Sequence, residues 1–192
     1  MQNIKNFKIV KPTAKQIKLY KSADGAAPVF LKSDDNQDWY EAQRLFADDT
    51  IKIMYDSAGI VRSVVDKPVP QRGGTYAVSM LFPINMSVAE IAVEDYPTGC
   101  TIDGSWQYDG TTIYQDEQTV NSRVYQKNLG TRNKEMSNVA AYAFAIQSSA
   151  AVGNSRDGDA DNLLTLQQYA DALRDVDLTV ADPDWPGAPS FL

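Results

Sequence analysis

Apolar and polar positions alternate with a period of two through much of residues 1–114, and recur every three to four residues after that. The clearest alternation lies between Ser33 and Asp66. Ile51, Ile53 and Tyr55 fall on one face of a strand, with Lys52, Met54 and Asp56 on the other, and Ile60 to Val65 gives a second, β-branched strand. Between them, Asp56-Ser57-Ala58-Gly59 suits a type I turn closed by a left-handed glycine, a conformation that costs a Cβ-free residue nothing. Upstream, Asp38-Trp39-Tyr40 supplies two aromatics to cover the hairpin.

The flanking segments extend the β pattern. Phe7 to Val10 reads as extended and stops at Pro12; Ile17 to Tyr20 alternates weakly; Ala23-Asp24-Gly25 is a turn into Pro28-Val29-Phe30-Leu31. Lys67 to Gly74 is a loop broken by Pro68, Pro70 and Gly73-Gly74. Thr75 to Phe82 alternates, with Tyr76, Val78, Met80 and Phe82 on one side, and Val88 to Glu94 alternates again. Asp103-Gly104 and Asp109-Gly110 are two hairpin signals, the first between Thr101-Ile102 and Ser105-Trp106, the second between Trp106-Tyr108 and Thr111-Ile113.

The period changes at Asp116, where Asp116-Glu117 favours a helix start. Val120, Val124, Met136, Val139, Ala140, Ala143, Phe144 and Gln147 follow at helical spacing, with a kink predicted at Gly130. After a polar loop at 153–159, Asp161 or Asn162 caps a second helix whose stripe is Leu163, Leu166, Tyr169, Ala170, Leu173 and Val176. The tail around Pro183, Trp185, Pro186 and Pro189 is too proline-rich for helix, and Trp185 is suited to pin it into a groove. The fold class is therefore α+β: a mostly antiparallel β domain over 1–114, then a helical hairpin region with a Pro/Trp tail over 115–192.

Composition narrows the function classes. A net charge of −7 argues against a free-standing nucleic-acid binder, which carries a basic footprint. Seven lysines precede Ser33 against one acid, Asp24, which reads as a solvated sheet margin or a basic arm for an acidic partner. With one cysteine, Cys100, no intrachain disulfide forms and a reducing compartment is the natural home. No run approaches the ~18 apolar residues of a membrane span, and the N-terminus lacks a signal-peptide apolar region, so an intracellular protein without membrane insertion is expected.

Candidate chemistry is sparse. There is no histidine, which removes Ser-His-Asp and Cys-His catalysis and every histidine zinc site. No nucleotide-phosphate loop motif occurs. Asp157-Gly158-Asp159-Ala160-Asp161-Asn162 imitates a calcium loop, yet Asn162 replaces its glycine and Gln168 its bidentate glutamate, so a solvated turn with a helix cap is expected. Asp103 and Asp109 make a conceivable hydrolytic carboxylate pair, but their turns already account for both. No catalytic residue, cofactor or metal is assigned. Trp39, Tyr40, Tyr55, Trp106 and Tyr108 are the candidate partner-binding residues, although Trp39 and Trp106, placed on strands, read more readily as core residues.

Four motifs in order carry a resemblance: Ser33-Asp34-Asp35 to Trp39-Tyr40; Asp49-Thr50-Ile51-Lys52-Ile53 with Tyr55-Asp56 and Ile60-Val61; Gly104-Ser105-Trp106-Gln107-Tyr108-Asp109-Gly110; and Val176-Asp177 with Asp184-Trp185-Pro186. Together they resemble the tail fibre assembly proteins, chaperones of tailed bacteriophages and prophages. Residues 80–100 fall outside that pattern, and Gly130 to Val152 is richer in alanine than the charged helix it implies. The resemblance implies an ATP-independent, non-enzymatic late protein in the host bacterium's cytoplasm. Its partner would be the C-terminal region of a trimeric tail fibre, whose trimerisation it assists, with retention on the virion left open. The alternative is a virion-associated module binding host surface glycan, with Trp39, Tyr55, Trp106 or Tyr108 stacking on sugar rings; a carboxylate-only glycan hydrolase is a third reading.

Overall fold

A computed structural model describes residues 1–20 and 28–192; the turn predicted at Ala23-Asp24-Gly25 lies outside them. The chain forms two compact units, Met1–Asp116 and Glu117–Leu192, in an α+β fold with the sheets in the first unit and the long helices in the second.

The first unit is built on five antiparallel strands: β1 (Asn3–Val10), β2 (Phe30–Lys32), β3 (Ile51–Tyr55), β4 (Val61–Val65) and β5 (Met86–Ile91). Their spatial order is β2-β1-β5-β3-β4. Strand β5 is central, and its residues Ser87 to Ile91 are all buried. It has this character because the sheet is covered on both faces at β5, β3 and β4. One face carries Ile4, Phe7, Leu31, Trp39, Val78 and Val88, with Met54 and Val65 against them. The other carries Ile53, Tyr55, Val61, Ala89 and Ile91 under Tyr108 and Ile113. The predicted alternation in β3 holds, but its polar-looking face is not solvated: Lys52 is 1% exposed and donates to the Thr50 carbonyl at 2.7 Å.

Helix α1 (Ala14–Tyr20) replaces the extended segment predicted over Ile17 to Tyr20. Thr13 and Gln16 form a capping box: the Gln16 N–H donates to Thr13 Oγ at 3.2 Å and the Thr13 N–H to Gln16 Oε1 at 2.8 Å. Trp39 is not on a strand either. It opens α2 (Trp39–Ala42), capped by Asp38, whose carboxylate accepts from the Tyr40 and Glu41 N–H groups. Thr75 to Phe82 forms no strand: Ala77–Met80 is a 3-10 turn that buries Ala77, Val78 and Leu81 and leaves Phe82 exposed. Pro83 follows and has no N–H to give to a ladder. The alternation predicted over Val88 to Glu94 stops at Ile91, and Val93–Asp95 is another 3-10 turn. Asp103-Gly104 closes no hairpin, and Ile102 lies exposed. The Asp109-Gly110 hairpin does form, between β6 (Trp106–Tyr108) and β7 (Ile113–Gln115), with all four residues 109–112 in its loop.

In the second unit, α3 (Glu117–Ala151) runs through Gly130 as one continuous helix. Helix α4 (Asp159–Asp175) starts earlier than Asp161 or Asn162, with left-handed Gly158 (φ 87°) as its cap. Asp159 belongs to this turn, its carboxylate accepting from the Arg156 N–H at 2.8 Å. Val139 and Ile146 pack against Leu166, Tyr169, Ala170 and Leu173, while Phe144, predicted to share that stripe, is 71% exposed. Trp185, Phe191 and Leu192 of the tail pack on the same core. Asn128 is buried in mid-helix and donates to the carbonyls of Leu178 at 3.0 Å and Val180 at 2.9 Å, tying the tail down.

Candidate functional site

The turn between β3 and β4 is dictated by Asp56. Its Oδ1 accepts from the Ala58 N–H at 2.9 Å and the Ile60 N–H at 3.1 Å, and its Oδ2 from Arg62 Nε at 2.8 Å. Burial pulls this carboxyl upward, but the Arg62 hydrogen bond and the two N–H donors outweigh it and hold it below the usual carboxylate range. Gly59 closes the turn at φ 83°, and a Cβ there would stand 2.7 Å from the Tyr108 carbonyl oxygen. This close approach lets the Tyr108 N–H donate to the Gly59 carbonyl at 2.7 Å and seats the β6–β7 hairpin against the end of the main sheet.

A cleft of about 420 Å³ opens where these pieces meet. Tyr55 and Tyr108 meet edge to face at 5.2 Å, joined by Gln107, Asp109 and Tyr114, with Asn6 on the opposite wall. The Tyr55 hydroxyl donates to Asn3 Oδ1 at 2.6 Å and the Tyr108 hydroxyl to the Gly110 carbonyl at 2.8 Å. Burial pushes both phenols up, Asp109 and the neighbouring ring adding to the effect at Tyr108. Asp109 accepts the N–H groups of Thr112 and Thr111, both at 2.8 Å, and these hold its carboxyl down. Both carboxylates of the cleft are thus committed to their turns. Among the described residues no cluster of acids and cysteine is arranged to hold a metal ion.

Of the five sequence-predicted residues, the structure brings three together. Tyr55, Tyr108 and half-buried Trp106 share one face of the sheet. Trp39 lies on the other face, 0% exposed, with Phe7 at 5.1 Å and Phe46 at 6.3 Å; it is a core residue and has no surface to offer a partner or a sugar ring. Tyr40 stacks on Tyr20 at 5.6 Å, lies edge to face with Phe30 at 5.5 Å and donates its hydroxyl to the Val29 carbonyl. Gln107, Tyr114 and Asn6 escaped the sequence reading. Tyr114, in the strand pattern Thr112-Ile113-Tyr114, had a signal; Asn6, left-handed at φ 55° where β1 shifts register between Ile4 and Phe7, had none.

The first unit is thus a sheet module with an aromatic-lined cleft at the β3–β4 turn. The family model described as Caudovirales tail fibre assembly protein, lambda gpK, matches residues 41–190. The chain is similar to tail fiber assembly protein U of Escherichia phage Mu, 27% identical over 197 residues, spanning 98% of this chain and 99% of that protein. It is also similar to the probable tail fiber assembly protein of Escherichia phage P2, 28% identical over 196 residues with the same coverage of 98% and 99%. The chain belongs to the tail fibre assembly family, and its role lies in tail fibre assembly.

Proposed function

We propose that this protein is an ATP-independent, non-enzymatic chaperone for the C-terminal tip of a phage tail fibre, assisting the registration of three fibre chains. The supporting observation is the family match over residues 41–190, with near-complete coverage of two phage tail fiber assembly proteins. The physical need is plain: a β-rich trimer built from non-local pairings folds slowly and exposes unpaired strand edges meanwhile. The sheet unit, residues 1–114 in the sequence reading, contacts the fibre and the helical unit sets assembly geometry. The work is done in the host cytoplasm, where no bond need be made or broken.

Co-expression tests this. The fibre encoded in the neighbouring reading frame is expected to give several-fold more soluble trimer with this chain than without it. Equal yields, together with failure of the fibre tip to retain the chain in pull-down, would refute the reading.

The cleft at Tyr55, Gln107, Tyr108 and Tyr114 favours a second reading. A polar, aromatic-lined recess of about 420 Å³ suits a sugar, and the chain would then stay on the virion as a glycan-binding module. Binding of the isolated protein to a glycan array, lost on Tyr114→Ala, would support that reading over the first.

A further inference from the structure

Strand β4 is the last strand of the five-stranded sheet, and among the described residues no further strand pairs with its outer margin beyond Val61. The register fixes which backbone groups face outward. The Asp56 N–H donates to the Ile60 carbonyl at 3.1 Å across the hairpin. By the alternation of a strand, Asp56, Met54 and Lys52 therefore turn their backbone groups toward β4, and Ile53 turns away. Met54 lies opposite Ser63, Ile53 opposite Val64 and Lys52 opposite Val65. Val64 thus points its N–H and C=O out of the sheet.

The near end of this margin is already taken in the antiparallel sense. Ile60 bridges Gln107, and the Tyr108 N–H reaches the Gly59 carbonyl. From Arg62 onward no strand among the described residues pairs with β4. The usual protection of such a margin is lysine, proline or brevity. The opposite margin has it, with a three-residue β2 ending in Lys32. On β4 the charge is Arg62, which is bound to Asp56 at 2.7 Å. Half-buried apolar groups flank the opening on both sides: Val64 and Trp106 on one face, Val65 and Tyr76 on the other.

We infer that the outer margin of β4, from Arg62 to Val65, receives an extended segment of the client fibre as an added strand. Unpaired backbone groups in strand geometry are satisfied by another extended chain, and side chains on alternate sides of that chain meet Trp106 and Tyr76 in turn. This inference rests on the chaperone reading and gives it a docking surface; Trp106 acquires a role that burial alone did not assign it.

Hydrogen exchange of the full chain, resolved by residue, tests this against the C-terminal segment of the fibre encoded in the neighbouring frame. The Val64 amide is expected to exchange quickly in the free chain and at least tenfold more slowly with the fibre present. Val64→Pro removes that outward donor at a margin where proline is tolerated, and is expected to weaken fibre binding at least tenfold. Should the variant not fold, the exchange result on the unaltered chain decides alone. Binding with no slowing at Val64 overturns the inference while leaving the chaperone reading intact, and no binding at all removes both. Slowing that rises with chain concentration in the absence of fibre makes a second copy the occupant, and also overturns it.

Discussion

Glu90 sits in the central strand at 4% exposure and holds three segments together. Its Oε2 accepts the Gln2 N–H at 2.6 Å, and its Oε1 accepts the Ala47 N–H and the Thr50 hydroxyl, the latter at 3.1 Å. Directly opposite in the ladder is buried Lys52. Glu90→Ala therefore strands donors at the start of β1 and in the loop before β3. Hydrogen bonds to a charged group contribute about 1.5–3 kcal/mol each, but water can replace the partner of exposed Ala47. A loss of about 2–4 kcal/mol is expected from the stranded Gln2 and Thr50 donors, a large share of the roughly 5–15 kcal/mol that holds a domain folded. Urea unfolding followed by tryptophan fluorescence in a Trp185→Phe background reads the first unit through Trp39 and Trp106. A loss below about 1 kcal/mol for Glu90→Ala would refute the argument that this carboxylate is the junction of the unit.

Gly59→Ala combines a left-handed backbone at φ 83° with a Cβ 2.7 Å from a backbone oxygen. It should cost about 2–3 kcal/mol by thermal or urea melt and loosen the β6–β7 hairpin in hydrogen exchange. Asn128→Ala leaves the Leu178 and Val180 carbonyls without their donor, so it should destabilise the second unit by about 1–3 kcal/mol and speed proteolysis of the tail. The Asp56 carboxyl is held below its ordinary value in the folded chain, so its contribution is present above the unfolded carboxylate pKa and lost as pH falls through the folded one. Arg62→Ala should move that carboxyl upward in a carbon-13 NMR titration, shifting the acid loss of the turn to higher pH.

The hairpin at Ile51 to Val65 was legible because alternation, a β-branched run and a glycine-closed turn all agree locally. The Leu166 to Leu173 stripe was legible for the corresponding reason at helical spacing. What misled was alternation without a ladder. Thr75 to Phe82 shows a period of two, yet Ala77, Val78 and Leu81 go inward from a 3-10 turn, since Pro83 and the demands of packing override so short a pattern. Trp39 looked available because sequence alone does not tell a strand from a capped helical turn delivering an indole into the core. Phe144 failed in the opposite direction: α3 is far longer than α4, so α4 does not cover all of its apolar positions. At the cleft, the turns at Asp56 and Asp109 were visible in the sequence. Their convergence was not, because it depends on the Tyr108–Gly59 bond between segments some fifty residues apart.

Because hydrophobic layers clothe both surfaces of the main sheet at β5, β3 and β4, that part of it has no bare plane to show another molecule. It can speak outward solely through its rim and through the outer skin of the loops laid over it. Sequence drift in those places leaves the two layers undisturbed, so on the proposed chaperone reading one scaffold can be retuned to a new fibre without being rebuilt. Swapping loops and rim between relatives, with β5 and its two layers kept fixed, should accordingly transfer client preference.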